Sequence, residues 1–162
     1  MTRISFAEYG RVYVSIYIKQ QDNVAMTPVK FKVDTGADTT TISRFDLAIL
    51  GYDKGWVKQN AIMLQEKDKP VAASGERINA GRVRLPILNI LGYEAKQWPF
   101  QIILDENQDF RNLVGRDLLR FFNYSFNNDE DMFTIVMAET VKPLYQFFPG
   151  QEINEIKSVG RT

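Results

Sequence analysis

Pro28-Val-Lys-Phe-Lys-Val-Asp-Thr-Gly-Ala-Asp-Thr-Thr-Thr-Ile-Ser43 is the stretch on which the reading of the fold turns. Val29, Phe31 and Val33 alternate with Lys30 and Lys32, the period of a strand with one buried face. That strand ends at Asp34, and Gly36 lets the backbone turn sharply just beyond it. Apolar residues resume at Ala37 and Ile42. A carboxylate therefore stands on a tight turn at the mouth of an apolar region, the kind of setting in which catalytic acids and bases are found. Asp-Thr-Gly is also ordinary turn chemistry, so the tripeptide by itself decides nothing.

The absent residue types narrow the chemistry. The chain has no Cys and no His. Disulfides, thiol nucleophiles and thiolate metal sites are excluded, as are Ser-His and Cys-His catalysis and the usual zinc sites. A hydrolase built from this sequence must use carboxylates, Lys or Tyr as its acid and base. Elimination thus points to Asp34 again. The 20 acidic and 20 basic side chains cancel, so no basic face is advertised to nucleic acid or to an anionic membrane. No apolar run is long enough to span a bilayer, and the N-terminus has no secretory apolar region, so a cytoplasmic location is expected. With 162 residues the chain suits one domain with a sizeable core.

A second stretch, Asn112-Leu-Val-Gly-Arg-Asp-Leu-Leu119, follows another apolar strand. Together, Val33-Asp-Thr-Gly-Ala-Asp38 and Leu113-Val-Gly-Arg-Asp-Leu-Leu119 resemble the two signatures of the retropepsins, single-domain aspartic proteases of retroviral type with bacterial and cellular relatives. The resemblance covers about residues 10 to 137, strongly at the two motifs and loosely between them. It implies an all-β fold, a small closed acid-protease barrel with one or two short helices. The protease domain is then 1–138, and 139–162 is a C-terminal extension of unknown role.

The rest of the chain reads as follows. Residues 11 to 19 alternate cleanly, Val12, Val14, Ile16 and Ile18 on one face. Thr39 to Ser43 reads as a short strand, and Ser43 as the N-cap of a helix over Arg44–Leu50, with Asp46 at the reciprocal capping-box position and Gly51 as the stop. That helix is expected to bury Leu47 and Leu50. A weaker strand is read over residues 56 to 65, centred on Ala61-Ile-Met-Leu64, and Glu66 to Pro70 is a charged turn. Residues 71 to 81 are small and glycine-bearing, a mobile hairpin on composition alone. Residues 82 to 91 and 98 to 104 read as strands, with Gly92 to Gln97 linking them and Pro86 and Pro99 at edges or strand starts. A short helix from Arg116 is followed by a hairpin, Tyr124 to Phe126 and Met132 to Val136, around an acidic turn. That turn mimics the start of a calcium loop, but Met132 and Ala138 stand where the loop needs Gly and Glu, so no metal and no cofactor is expected. Leu144 to Gly150 and Glu152 to Lys157 in the tail carry aromatic and apolar residues suited to packing on the domain or on a partner.

Amide hydrolysis by carboxylates alone works best with two of them. One, ionised, takes a proton from water; the other, protonated, polarises the carbonyl. Two carboxylates about 3 Å apart cannot both ionise, so they share a proton. This chain has one Asp-Thr-Gly, and Asp38 and Asp117 are the other candidates within it, in contexts that suggest structural pairing. The resemblance implies a homodimer instead, with Asp34 from each of two identical chains. It further implies that Thr35 braces the dyad across the two-fold and that Gly36 offers its carbonyl to a peptide substrate. Ala37 and Asp38 would line the cleft, and Asp38 would pair with Arg116 as a structural support of the dimer. Ser74 and Gly75 would sit near the tip of a flap that closes over the substrate. Ala37 replaces the Ser that can follow the tripeptide, which implies a less acidic optimum. The flap region lacks the dense glycine run of viral members, and the tail extends past the strand that builds their interface. The activity implied is that of an aspartic endopeptidase on a peptide or protein substrate. A catalytically silent, dimeric peptide-binding or scaffolding module on the same fold is the alternative.

Overall fold

The chain opens with β1 (Thr2–Ser5), a strand that its short polar-apolar pattern does not announce. The alternating stretches that follow become β2 (Tyr13–Lys19) and β3 (Met26–Val33). They pair antiparallel, Tyr13 opposite Lys32 and Lys19 opposite Met26. In the computed structural model, which describes residues 1–105, 111–138 and 157–158, their apolar sides face the core and Lys30 faces solvent. Phe31 is fully buried there; truncating such a ring to Ala costs about 3–5 kcal/mol.

After the Asp34 turn come α1 (Arg44–Ile49), α2 (Lys54–Asn60) and β4 (Ile62–Met63). The long hairpin β5 (Ala80–Ile90) and β6 (Tyr93–Ile103) follows, then β7 (Leu113–Val114), α3 (Arg116–Leu119), β8 (Phe122–Asn127), β9 (Met132–Met137) and β10 (Lys157–Ser158). One sheet runs β10-β6-β5-β2-β3-β7, with β4 on β5; the other runs β1-β9-β8. The architecture is mostly β with few short helices. The named strands trace an open path rather than the closed barrel anticipated. Between its β7 end and β6 stands Thr41, with single-residue bridges to Leu113 and Gln101.

Several local readings change. Thr39 to Ser43 is not a strand beyond the bridges at Thr41. Residues 54–60 are helical, where 56–60 were expected to open a strand, because Asp53 caps them: its carboxylate accepts the Trp56 N–H at 2.9 Å. Only Ile62–Met63 of the strand expected there forms, against Gly81 and Arg82. At α1 the N-cap is Ser43, whose hydroxyl accepts the Asp46 N–H at 3.1 Å, and Leu47 and Leu50 are buried. The reciprocal bond takes another form, because Asn112 intervenes. Its side-chain oxygen accepts the Ser43 N–H at 2.7 Å, and its amide donates to Asp46 at 2.7 Å.

Of the expected link Gly92 to Gln97, residues 93–97 are instead part of β6. The hairpin turns at Leu91-Gly92 alone, both at positive φ, and the Gly92 N–H bonds to the Asn89 side chain. Two residues of that backbone twist suffice to join antiparallel strands. Neither proline starts a strand. Pro99 lies within β6 opposite Arg84, and Pro86 falls where the ladder lapses between Leu85–Trp98 and Ile87–Lys96. Gln97, facing that lapse, has φ 54°, and the buried positions shift there from Val83 and Leu85 to Leu88 and Ile90. The hairpin thus turns one half of each strand inward from one side and the other half from the opposite side. Its buried anchor is Trp98, edge-on to Phe121.

The tail segments Leu144 to Gly150 and 152–156 lie outside the described residues. Lys157 and Ser158 pair with Glu94 and Tyr93 on the free side of β6.

Candidate active site

The site begins where β3 runs parallel to β7. Lys32 lies opposite Leu113 and Val33 opposite Val114, so the two sequence motifs end side by side. Beyond the strands the contact continues residue by residue. The Asp34 N–H donates to the Val114 carbonyl at 3.0 Å, the Arg116 N–H to the Ala37 carbonyl at 2.8 Å, and the Asp117 N–H to the Asp38 carbonyl at 3.1 Å. The Asp34 turn is therefore sewn along its length to the loop that starts α3.

Asp34 itself is half-buried, and its Oδ1 accepts the Gly36 N–H at 3.0 Å. That bond fixes the side chain against its own turn, which the Ala37 N–H closes on the Asp34 carbonyl at 3.2 Å. A Cβ at Gly36 would stand 3.3 Å from the same oxygen, so a larger residue would crowd the carboxylate. Thr35 and Gly36 are exposed and Ala37 is half-buried. In one chain the turn faces outward and is open on the side of Thr35.

Asp38 and Arg116 form an ion pair between the two loops, with side chains 81% and 61% exposed. At such exposure water screens the attraction, and the pair is a weak contributor to stability in the single chain. Asp117 is placed differently. It is 7% exposed, and both its oxygens accept the Thr40 N–H at 3.0 Å. The Thr40 hydroxyl donates to Oδ1 at 2.7 Å, as does the Leu118 N–H. Burial pushes the Asp117 carboxyl above its ordinary value; the Thr40 and Leu118 hydrogen bonds and the charge of Arg82 act in the opposite direction. Asp117 is thus a buried structural acid. Thr40, its partner, is not marked in the sequence, because a run of three threonines reads as strand.

Ser74 and Gly75 lie elsewhere. Val71 bridges Arg77, the Ala72 N–H bonds to the Glu76 carbonyl at 2.8 Å, and the Gly75 N–H to the Ala72 carbonyl at 2.9 Å. Gly75 has φ 86°, which lets the tip turn, and both tip residues are exposed. Among the described residues no hydrogen bond joins this hairpin to the Asp34 turn. A cavity of about 540 Å³ between α1, α2 and β4 is lined by Ala48, Tyr52, Val57 and Met63 and does not include Asp34. No group of acidic side chains among the described residues is arranged to hold a metal ion.

No protein-family model matches the chain, and no curated protein does. Among solved structures it is similar to a retropepsin-like aspartic protease from Rickettsia conorii, with a TM-score of 0.59 and 23% identity over 82% of this chain and 86% of that one. The retroviral protease-like domain of Ddi1 from Leishmania major aligns over 90% of this chain and 93% of that domain, at 18% identity and a TM-score of 0.48. The chain has the retropepsin-like fold.

Proposed function

We propose that the chain is an aspartic endopeptidase, active as a homodimer in which Asp34 of each copy supplies one carboxylate. The observation that carries this reading is the meeting of the two motifs: a half-buried carboxylate on a turn held by three backbone hydrogen bonds to the second motif. In the dimer one Asp34 would be ionised and the other protonated. The ionised one takes a proton from a water as its oxygen bonds to the peptide carbonyl carbon, and the protonated one donates to the carbonyl oxygen. Collapse of the tetrahedral intermediate then breaks the C–N bond, with a proton passing to the leaving nitrogen.

Thr35, on the open side of the turn, would bond across the two-fold to the second copy. The Gly36 carbonyl, Ala37 and Asp38 would meet an extended substrate, added as a strand. The hairpin tipped by Ser74 and Gly75 would close over it as a flap, and the open path of the large sheet would close at Thr41 into a small barrel. Residues 1–138 would carry this activity, with 139–162 as an extension.

Incubation of the purified chain with an unstructured protein from acidic to neutral pH tests the proposal. Cleavage that is blocked by a pepstatin-type inhibitor and absent in Asp34→Asn supports it. A dimer that binds peptide without cutting it overturns it in favour of a silent binding module.

A further inference from the structure

Of the carboxylates beside the Asp34 turn, Asp38 is solvated and Asp117 is enclosed. The enclosed one sits at the end of a short chain of polar contacts. Asp117 takes both the N–H and the hydroxyl of Thr40, and the Thr40 hydroxyl oxygen in turn accepts the Gly115 N–H at 3.1 Å. Without the Thr40 hydroxyl the buried Gly115 N–H loses its acceptor and Asp117 loses its shortest donor from the other loop, each a costly loss in a buried setting. Gly115 also leaves no slack: a Cβ there would stand 2.5 Å from the Thr39 carbonyl carbon. On either side of Gly115, Val114 and Arg116 carry the backbone bonds that hold Asp34 and Ala37.

We infer that Thr40 and Asp117 are a positioning pair for Asp34. They touch no substrate. They fix the separation of the two loops, and through the bonds from Arg116 to Ala37 and from Asp34 to Val114 they fix where the Asp34 carboxylate stands. A dyad tolerates little displacement, since about 1 Å of misplacement costs about a hundredfold in rate. This role rests on the proposed function, but the loop restraint itself can be measured without it.

The test compares Thr40→Val, which keeps the shape and removes the hydroxyl, with Thr40→Ser, which keeps the hydroxyl. All chains are studied full-length, at a temperature where circular dichroism shows them folded. Two readouts are taken: amide hydrogen exchange at Asp34 and Arg116 with β2 as internal reference, and kcat and KM on an unstructured protein substrate. In Thr40→Val, exchange at Asp34 and Arg116 is expected to quicken about tenfold while β2 is unchanged. Its kcat should fall about tenfold to a hundredfold with KM within about twofold, and Thr40→Ser should restore both. Unchanged exchange at Asp34 and Arg116, acceleration everywhere including β2, or failure of Thr40→Ser to restore overturns the inference. If the wild-type chain cuts nothing, the proposed function fails, and the exchange readout alone upholds or overturns the positioning role.

Discussion

Thr40 gives both its backbone N–H and its hydroxyl to the carboxylate of Asp117, 77 positions further along the chain. This contact adds a side-chain tie to the backbone bonds that already join the two motifs. Asn in place of Asp117 would turn an amide group toward those donors and cost about 1–3 kcal/mol. Because burial raises the native Asp117 value above the ordinary 3.8, the folded chain holds this proton more tightly than the unfolded one. Its contribution is then fully present below the ordinary value and is lost as pH rises through the raised native one. Urea unfolding of wild type and Asp117→Asn, from about pH 3 upward, should show the stability gap narrowing with rising pH. A gap that widens would mean that the hydrogen bonds to the ionised form outweigh burial.

Two glycines should respond in opposite directions to the same substitution. Gly115→Ala drives a Cβ into the Thr39 backbone, at 2.5 Å from its carbonyl carbon and 2.6 Å from its oxygen, and should cost about 3 kcal/mol or more. Gly55→Ala, in the first turn of α2, meets only the Asp53 Oδ1 at 3.4 Å and should gain a few tenths to about 1 kcal/mol. Chemical denaturation midpoints decide both. A neutral Gly115→Ala would show that the two loops can part.

Arg116→Ala should lower the unfolding free energy of the isolated chain by less than about 1 kcal/mol, because the ion pair with Asp38 is solvated. The same substitution should weaken dimerisation if the pair becomes covered there. Sedimentation equilibrium separates the two effects. A large stability loss with no change in self-association would contradict the exposure of the pair.

Dilution offers a direct check on the proposed dyad. Specific activity should fall as the chain is diluted below its dimer dissociation constant, and added Asp34→Asn chain should suppress wild-type activity by forming mixed dimers. Activity that is strictly proportional to concentration at every dilution, in a species that sediments as a monomer, would end the dimer proposal.

Ala37→Ser would add a hydroxyl beside the proposed dyad, where it could bond to the ionised form and favour it. The acid limb of the kcat/KM profile should move to lower pH. An unmoved limb would show that residue 37 does not face the reacting groups.

How far the sequence reached is visible in particular residues. Alternation along β2 and β3, the Ser43 cap, the burial of Leu47 and Leu50 and the β8–β9 hairpin were legible, because each depends on neighbours within a few positions. So was Asp34 on its turn, from the strand before it and the glycine after it. The missed helix at Lys54–Asn60 was also local: Asp53 was the signal, beside a weak apolar pattern that favoured a strand.

From the sequence alone come the side-chain chemistry on hand, in a chain without His or Cys, and the strand-turn unit that presents one carboxylate. Tertiary structure decided which acid is enclosed and which is solvated. Asp38 and Asp117 look alike in the sequence, but the parallel run of β3 beside β7 carries Thr40 onto Asp117 and leaves Asp38 facing water. A side chain's burial and partners depend on contacts between segments far apart in the chain, and local spacing carries no record of them.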